Sequence, residues 1–379
     1  MQENMAKTFS MSLLLLCLLL HFFLAKCTRP PLAPALYVFG DSLVDSGNNN
    51  LLPTNEKVNF KPYGIDFPEG PTGRFTNGRT SVDFLAQFLG LPFAPPYMGL
   101  SVAQISNITI GINYASGSAG ILRETGTASG MNLALEVQVE LFNETVNHYL
   151  PKNFKTKDEL LQYLSNSIFV VLIGSNDYIN NYLRPAQYNS SHLYNPEKFA
   201  GVLLKEFKQH LQDLYNMGAR KFLVFNIAPV GCTPAMVKLK NVTSGCSNDI
   251  NQMVSLYNKG FTGMLQELRT SLHGSTFVQG DLNLLSNYFL SQNPSVNGFI
   301  TANPCCNTNN ETSLCLKDVP PCTDRGTHIF WDGYHPTQTL DLLLAISCFY
   351  GPLPCTPINV LQLAQKQEDT ASQKDYFSS

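Results

Sequence analysis

Ala35-Leu-Tyr-Val-Phe39, cut off by Gly40-Asp41-Ser42, opens a series of short β-branched and aromatic runs that each stop at a Gly- or Pro-containing turn. Ser167-Ile-Phe-Val-Val-Leu-Ile173 stops at Gly174-Ser-Asn-Asp177, and Lys221-Phe-Leu-Val-Phe-Asn-Ile227 stops at Ala228-Pro-Val-Gly231. Thr276-Phe-Val-Gln279 stops at Gly280-Asp281. A weaker candidate strand lies in residues 105–114, ahead of Ala115-Ser-Gly-Ser-Ala-Gly120. Near-continuous apolar runs suit parallel strands covered on both faces. Between them, residues 80–89, 196–217 and 249–272 carry apolar side chains at helical spacing, for example Phe199, Val202, Leu203 and Phe207. Alternation of strand and helix predicts a doubly wound α/β sandwich, with ligands beyond the carboxyl ends of the strands.

The bulk numbers narrow the class. Of 379 residues, 44% are hydrophobic and 14% charged, the balance of a chain with a large core, and the length suits one α/β unit with insertions. Net charge is -3 and the basic residues are scattered, so there is no stripe to track a nucleic acid. Lys7 precedes a leucine-rich run from Met11 to Leu24, followed by Ala25-Lys-Cys27. This pattern predicts a signal peptide over residues 1–27, too short in its apolar part for a stable membrane anchor. The remaining division is a single domain over residues 28–367 and a polar tail over 368–379.

Five sequons, at Asn107, Asn143, Asn189, Asn241 and Asn310, agree with export and glycosylation. Ten cysteines include Cys17 and Cys27 of the leader; the other eight all follow residue 230, and in an oxidising compartment they predict disulfides. Cys232–Cys246 and Cys348–Cys355 would close local loops, with Cys305, Cys306, Cys315 and Cys322 pairing among themselves. A zinc site on those four is the rival, disfavoured by the adjacent cysteines and the compartment.

The turns carry the chemistry. Ser42 directly follows the first strand, where free backbone N–H groups suit a developing oxyanion. A serine hydroxyl needs a base, and His335 in Trp331-Asp-Gly-Tyr-His-Pro-Thr337 supplies an imidazole. Asp332, three residues earlier, can fix its tautomer and stabilise the imidazolium. Gly117, with no Cβ, and Asn176, with a side-chain amide, are candidate oxyanion donors beside the Ser42 amide. His328, with Asp324 four residues before it, is a minor rival base, and Asp41, Asp45 and Asp177 read as scaffold acids. The chain has no Gly-x-Ser-x-Gly elbow, His-Glu-x-x-His, Walker A or Gly-x-Gly-x-x-Gly signature.

Four blocks together resemble the GDSL branch of the SGNH hydrolases, in particular the plant-type extracellular esterase/lipases. They are Phe39-Gly-Asp-Ser-Leu, Asn113-Tyr-Ala-Ser-Gly-Ser-Ala-Gly-Ile121, Gly174-Ser-Asn-Asp177 and Trp331-Asp-Gly-Tyr-His-Pro-Thr337. The resemblance implies Ser42, Asp332 and His335 as catalytic residues and Ser42, Gly117 and Asn176 as the oxyanion hole. It also implies a flavodoxin-like three-layer α/β/α sandwich with a mostly parallel sheet, and no metal or organic cofactor. One departure is Ser118, where relatives often carry Gly or Ala.

The expected function is ester hydrolysis through an acyl-Ser42 intermediate by a secreted monomer of the cell wall or apoplast. Its substrate would be a lipid, a cutin-like polyester or an acetylated polysaccharide. The same acyl-enzyme would serve an acyltransferase, and a catalytically inactive cell-wall glycoprotein is the alternative outside enzymes. The aromatic and proline-rich Leu91-Pro-Phe-Ala-Pro-Pro-Tyr-Met98 suits either an acyl pocket or a packed loop.

Overall fold

The computed structural model describes residues 30–367 apart from 291–294, 297 and 301–302. The signal peptide expected over 1–27, with Cys17 and Cys27, and the tail expected over 368–379 lie outside the described residues. From Leu32 onward the chain forms one compact unit.

Four of the sequence runs become four parallel strands, β1 (Leu36–Gly40), β2 (Ile168–Leu172), β3 (Lys221–Phe225) and β4 (Thr276–Gly280), lying side by side in chain order. A short pair, β5 (Ser295–Val296) and β6 (Phe299–Ile300), stands apart, and β7 (Cys355–Thr356) closes the far edge antiparallel to β4. Side chains alternate between two cores, as the strand pleat requires. Tyr37, Phe39, Phe169, Val171, Phe222, Val224 and Phe277 enter one core. Leu36, Val38, Val170, Leu172, Leu223, Phe225 and Val278 enter the other.

Helices cover both faces. On the aromatic side lie α2 (Leu135–Glu144), α3 (Lys157–Asn166), α4 (Pro196–Asn216) and α5 (Asn248–Ser271). On the other lie α1 (Ser81–Leu89), α6 (Leu282–Leu290), α7 (Gln338–Tyr350) and α8 (Val360–Gln365). The result is the three-layer α/β/α sandwich. The cores explain why the strands read as unbroken apolar runs. Rings line the aromatic face from Tyr37 through Phe169 to Phe222 and Phe277, the last two stacked with centroids 4.4 Å apart.

Local chemistry sets the helix starts. Asn195 caps α4 by accepting from Lys198 N–H, with Pro196 at the first helical position, where its missing N–H costs nothing. Thr80 and Asp83 form a capping box at α1, and the same Asp83 carboxylate takes a two-pronged bond from Arg74 at 2.7 and 2.8 Å. That pair is buried, so removing either partner would strand a charge at a cost of about 3–5 kcal/mol.

The weaker candidate strand is corrected. Ile105 falls in a short helix, Val102–Asn107, and the segment beyond it is an extended strap rather than a regular strand. The strap still bonds to β1, with Leu36 donating to Ile110, Val38 to Ile112, and Tyr114 back to Val38. Gly111 breaks the ladder: it sits at φ 101°, and a Cβ there would lie 2.0 Å from the Leu36 carbonyl oxygen. All eight cysteines after residue 230 are paired, as Cys232–Cys246, Cys305–Cys322, Cys306–Cys315 and Cys348–Cys355. The four sulfurs of the rival zinc arrangement are thereby spent on each other. No helix among the described residues is long and apolar enough to cross a membrane.

Two buried carboxyls organise the loops at the carboxyl ends of the strands. Asp177 accepts from Ile121 and Leu122 N–H and from the Thr125 hydroxyl. Asp45 accepts from the amides of Gly47, Asn48, Asn49 and Gly117. Burial outweighs these bonds and pushes both carboxyls up to about 6. Unfolded, they titrate near about 3.9, so between the two values the folded chain holds the extra protons. Their contribution to stability is present in acid and lost as pH rises through about 6. The melting temperature should therefore fall as pH is raised from about 4 to about 8. A flat or rising Tm across that interval in a pH-series melt would mean both groups stay ionised.

Candidate active site

Ser42 follows β1 in a tight turn in which Val44 and Asp45 N–H both return to the Asp41 carbonyl. The Ser42 hydroxyl lies 2.8 Å from His335 Nε2, across 293 residues of sequence. The other ring nitrogen, Nδ1, is 2.8 and 2.9 Å from the two Asp332 oxygens. Asp332 is fully buried, Ser42 is 8% and His335 5% exposed, and the serine and the histidine both line a cavity. The three residues expected to act together are within hydrogen-bond reach in the order serine, imidazole, carboxylate.

The Asp332 carboxylate is held from all sides. Its Oδ1 accepts from the Tyr334 and His335 amides at 2.8 Å each, which fixes the turn Trp331-Asp-Gly-Tyr-His335 around it. Its Oδ2 accepts from the Tyr63 hydroxyl at 2.6 Å, and Tyr63 in turn accepts from the Cys315 amide at 3.0 Å. Tyr63 is fully buried, between Phe60, Phe75 and Trp331. Nothing in the local sequence around Tyr63 marks it, because its partner lies 269 residues away. The Phe75 ring packs on the His335 ring, centroids 4.9 Å apart, and limits its rotation.

Electrostatics suit a base. Burial by itself would lower the His335 pKa, but the Asp332 charge and hydrogen bond, helped by Asp41 and Glu56, outweigh it and raise the value. Burial pushes the Asp41 carboxyl, beside the nucleophile, up to about 7. Its Oδ1 accepts from Leu43 N–H and serves the turn, in line with a scaffold role. His328 is elsewhere: its Nδ1 faces the Asn303 carbonyl at 3.2 Å and its Nε2 the Asp324 carboxylate at 3.6 Å. Cys322 joins that pair within 4.8 Å, but its sulfur is bonded to Cys305.

The oxyanion donors divide. Asn176 lines the cavity, and one of its amide hydrogens goes to the Ala119 carbonyl at 3.0 Å while its oxygen accepts from Asn180. These bonds fix the amide and leave its second hydrogen free of any acceptor among the described residues. The Ser42 amide likewise has none. Gly117 departs from expectation. Its N–H is given to Asp45 Oδ2 at 3.1 Å, and it is not among the residues lining the cavity. Its missing Cβ serves packing instead, since a Cβ there would meet Phe75 and Asn49 at under 3 Å. The next residue, Ser118, lines the cavity at φ 61°, and its amide has no acceptor among the described residues. Holding a serine in that left-handed conformation costs about 1–2 kcal/mol, which the bonds around it must offset.

A cavity of about 260 Å³ runs past the triad. Its lining includes apolar side chains, among them Leu43, Leu172, Leu282, Leu285, Phe330 and Leu344, and polar ones, among them Glu56, Ser129, Asn180, Arg184 and the exposed Glu311 and Thr312. The segment 91–98 is not among the lining residues.

A serine activated in this way should react with an organophosphorus probe. Asp332→Asn should slow that labelling by about ten-thousandfold, because the wrong imidazole tautomer is then favoured. Tyr63→Phe should slow it by about tenfold, the scale of losing an outer hydrogen bond to such a group. Wild-type labelling rates in Tyr63→Phe would detach Tyr63 from the triad.

Comparison with known proteins gives the family. The family model of GDSL-like lipase/acylhydrolase matches residues 36–346. GDSL esterase/lipase 7 of Arabidopsis thaliana is 44% identical over 343 residues, 88% of this chain and 93% of that protein. A second GDSL esterase/lipase of Arabidopsis thaliana is 42% identical over 340 residues, 87% of this chain and 91% of its own. A solved gut microbial diltiazem-metabolizing enzyme aligns over 84% of this chain and 46% of its own at a TM-score of 0.34 and 11% identity, too slight a likeness to carry weight. The chain belongs to the GDSL-like lipase/acylhydrolase family.

Proposed function

We propose that this protein is a secreted serine carboxylester hydrolase acting through an acyl-Ser42 intermediate. The observation that carries the reading is the unbroken line from Ser42 Oγ through His335 to Asp332, with Ser42 and His335 lining a cavity. His335 takes the Ser42 proton as the hydroxyl attacks the ester carbonyl, and Asp332 stabilises the imidazolium. The Ser42 and Ser118 amides and the free Asn176 N–H receive the oxyanion. His335 then gives its proton to the leaving alcohol, and a water molecule, deprotonated by the same imidazole, releases the acid. A lining that holds both leucines and polar groups such as Glu56 and Arg184 suits an ester with an apolar acyl part.

Export is supported by the leader-like sequence, by four disulfides and by the five sequons, whose asparagines are all solvent-exposed. An acceptor asparagine must be reachable by the glycosylating enzyme, and all five are.

The reading makes three tests available on p-nitrophenyl esters. Ser42→Ala should abolish hydrolysis, and residual wild-type turnover would end the proposal. Asn176→Ala should lower kcat by about a hundredfold or more, the usual scale for one oxyanion donor. His335 must be neutral to act as base and its pKa is raised. The rate should therefore climb with pH through a limb centred above the ordinary histidine value of about 6.5. A limb centred below that value in a kcat/KM–pH profile would contradict the Asp332–His335 electrostatics.

A further inference from the structure

We propose that Asn310 carries an N-linked glycan whose root stands on the rim of the catalytic cavity and screens Ser42 from bulky esters. This rests on the export and esterase readings above and deepens them by giving the same site a size limit.

Exposure marks where the cavity opens. Among the described residues that line it, Glu311 and Thr312 alone are exposed, and the rest are buried or half-buried. These two are the second and third positions of the sequon Asn310-Glu-Thr312. The acceptor asparagine is exposed as well, so the sequon itself forms the rim. No residue of the other four sequons lines the cavity. Only this sequon and Asn241-Val-Thr243 expose both the asparagine and the hydroxyl residue. At Asn143, by contrast, the sequon's Thr145 is fully buried and bonded to the Tyr114 hydroxyl.

The rim is anchored to the triad. Disulfide Cys306–Cys315 closes the hairpin that carries Asn310, and at its tip Asn309 Oδ1 accepts from Glu311 and Thr312 N–H at 2.8 and 3.1 Å. Gly333, between Asp332 and His335, donates its N–H to the Ser313 carbonyl at 2.9 Å. A Cβ on Gly333 would lie 2.5 Å from the Ser313 Cβ, so hairpin and catalytic loop touch directly. A group attached at Asn310 is therefore held beside the catalytic loop.

Attachment leaves these contacts intact. Asn310 Nδ2 forms a bond to the anomeric carbon of an oligosaccharide, the bond from that carbon to a lipid pyrophosphate breaks, and the displaced Nδ2 proton goes to solvent. The side-chain carbonyl survives, so Oδ1 still accepts from Lys238 Nζ, 2.8 Å away. A glycan is bulky and well hydrated. Small esters pass beneath it, whereas an ester borne on a polymer meets it first.

The test reads access to Ser42 through its labelling by two fluorophosphonates, one small and one carried on a branched polyethylene glycol. Full-length protein would be secreted from a eukaryotic host, with peptide mass reporting the sugar at each sequon. Wild type should carry sugar at Asn310 and favour the small probe. Asn310→Gln should take the bulky probe roughly tenfold faster at an unchanged small-probe rate, because association scales with the share of approach directions left open. Asn107→Gln loses a sequon away from the cavity, and Lys238→Ala loses the Asn310 contact but keeps the sequon, so both should label as wild type does. A bare Asn310 in protein glycosylated elsewhere, an unchanged bulky-probe rate in Asn310→Gln, or acceleration in either control would overturn this inference alone. Protein without sugar at any sequon would remove the export reading and this inference with it. Ser42 left unlabelled by the small probe in every variant would remove the esterase reading and the size limit together.

Discussion

The site depends on a buried polar seam between the Ser42 turn and the strap beside β1. Asp45 ties the amides of Gly47 and Asn48 to that of Gly117. Asn48 donates to the Asn113 and Ala115 carbonyls and accepts from Met98 N–H, and Asn113 donates back to Val44. Asn49 donates to the Gly117 carbonyl. All of these partners but the half-buried Met98 are buried, and a buried bond left unmade would cost about 1–3 kcal/mol. That asymmetry makes the seam all-or-none. It holds the strap, with Ser118 in its strained conformation, at a fixed distance from the nucleophile, the preorganisation on which oxyanion stabilisation relies.

The seam also explains why the sheet edge is irregular. A regular strand would give its amides and carbonyls to neighbouring backbone along its whole length. The strap gives only some of them to β1, and the asparagines of the nucleophile turn take others. Gly111 supplies the break in the ladder. Behind β1, Gln138 of α2 grips Gly40 with both ends of its amide, at 2.8 Å each, fixing the strand end from which the Ser42 turn departs.

What was legible in the sequence follows from locality. Phe169, Val170, Val171 and Leu172 read as a covered strand because alternate side chains enter two separate cores. Ser42 and the pair Asp332 and His335 were visible because each sits in a short run whose own geometry builds it. The cysteine pairings within Cys232–Cys246 and Cys348–Cys355 were visible for the same reason. What depended on distant partners was not. Tyr63 earns its role only when a segment hundreds of residues later brings Asp332 beside it. Gly117 reads as a donor because a missing Cβ suggests close approach, whereas the positive φ of Ser118 has no signature in sequence. Helix α2 has a weakened apolar stripe in sequence because Gln138, one of its buried residues, is polar.

Ser42 and His335 stand at opposite ends of the folded chain's sequence, and their hydrogen bond closes a loop of 293 residues. Closing a loop of that span costs more chain entropy than forming the local elements around it. The nucleophile turn can be complete while the segment carrying its base is still undocked. A chain in which the His335 segment is undocked therefore carries an ordinary serine, and chemical competence requires that long-range contact. Hydrolytic power in this architecture is a property of the finished topology, which makes turnover a sensitive gauge of whether the whole chain has folded.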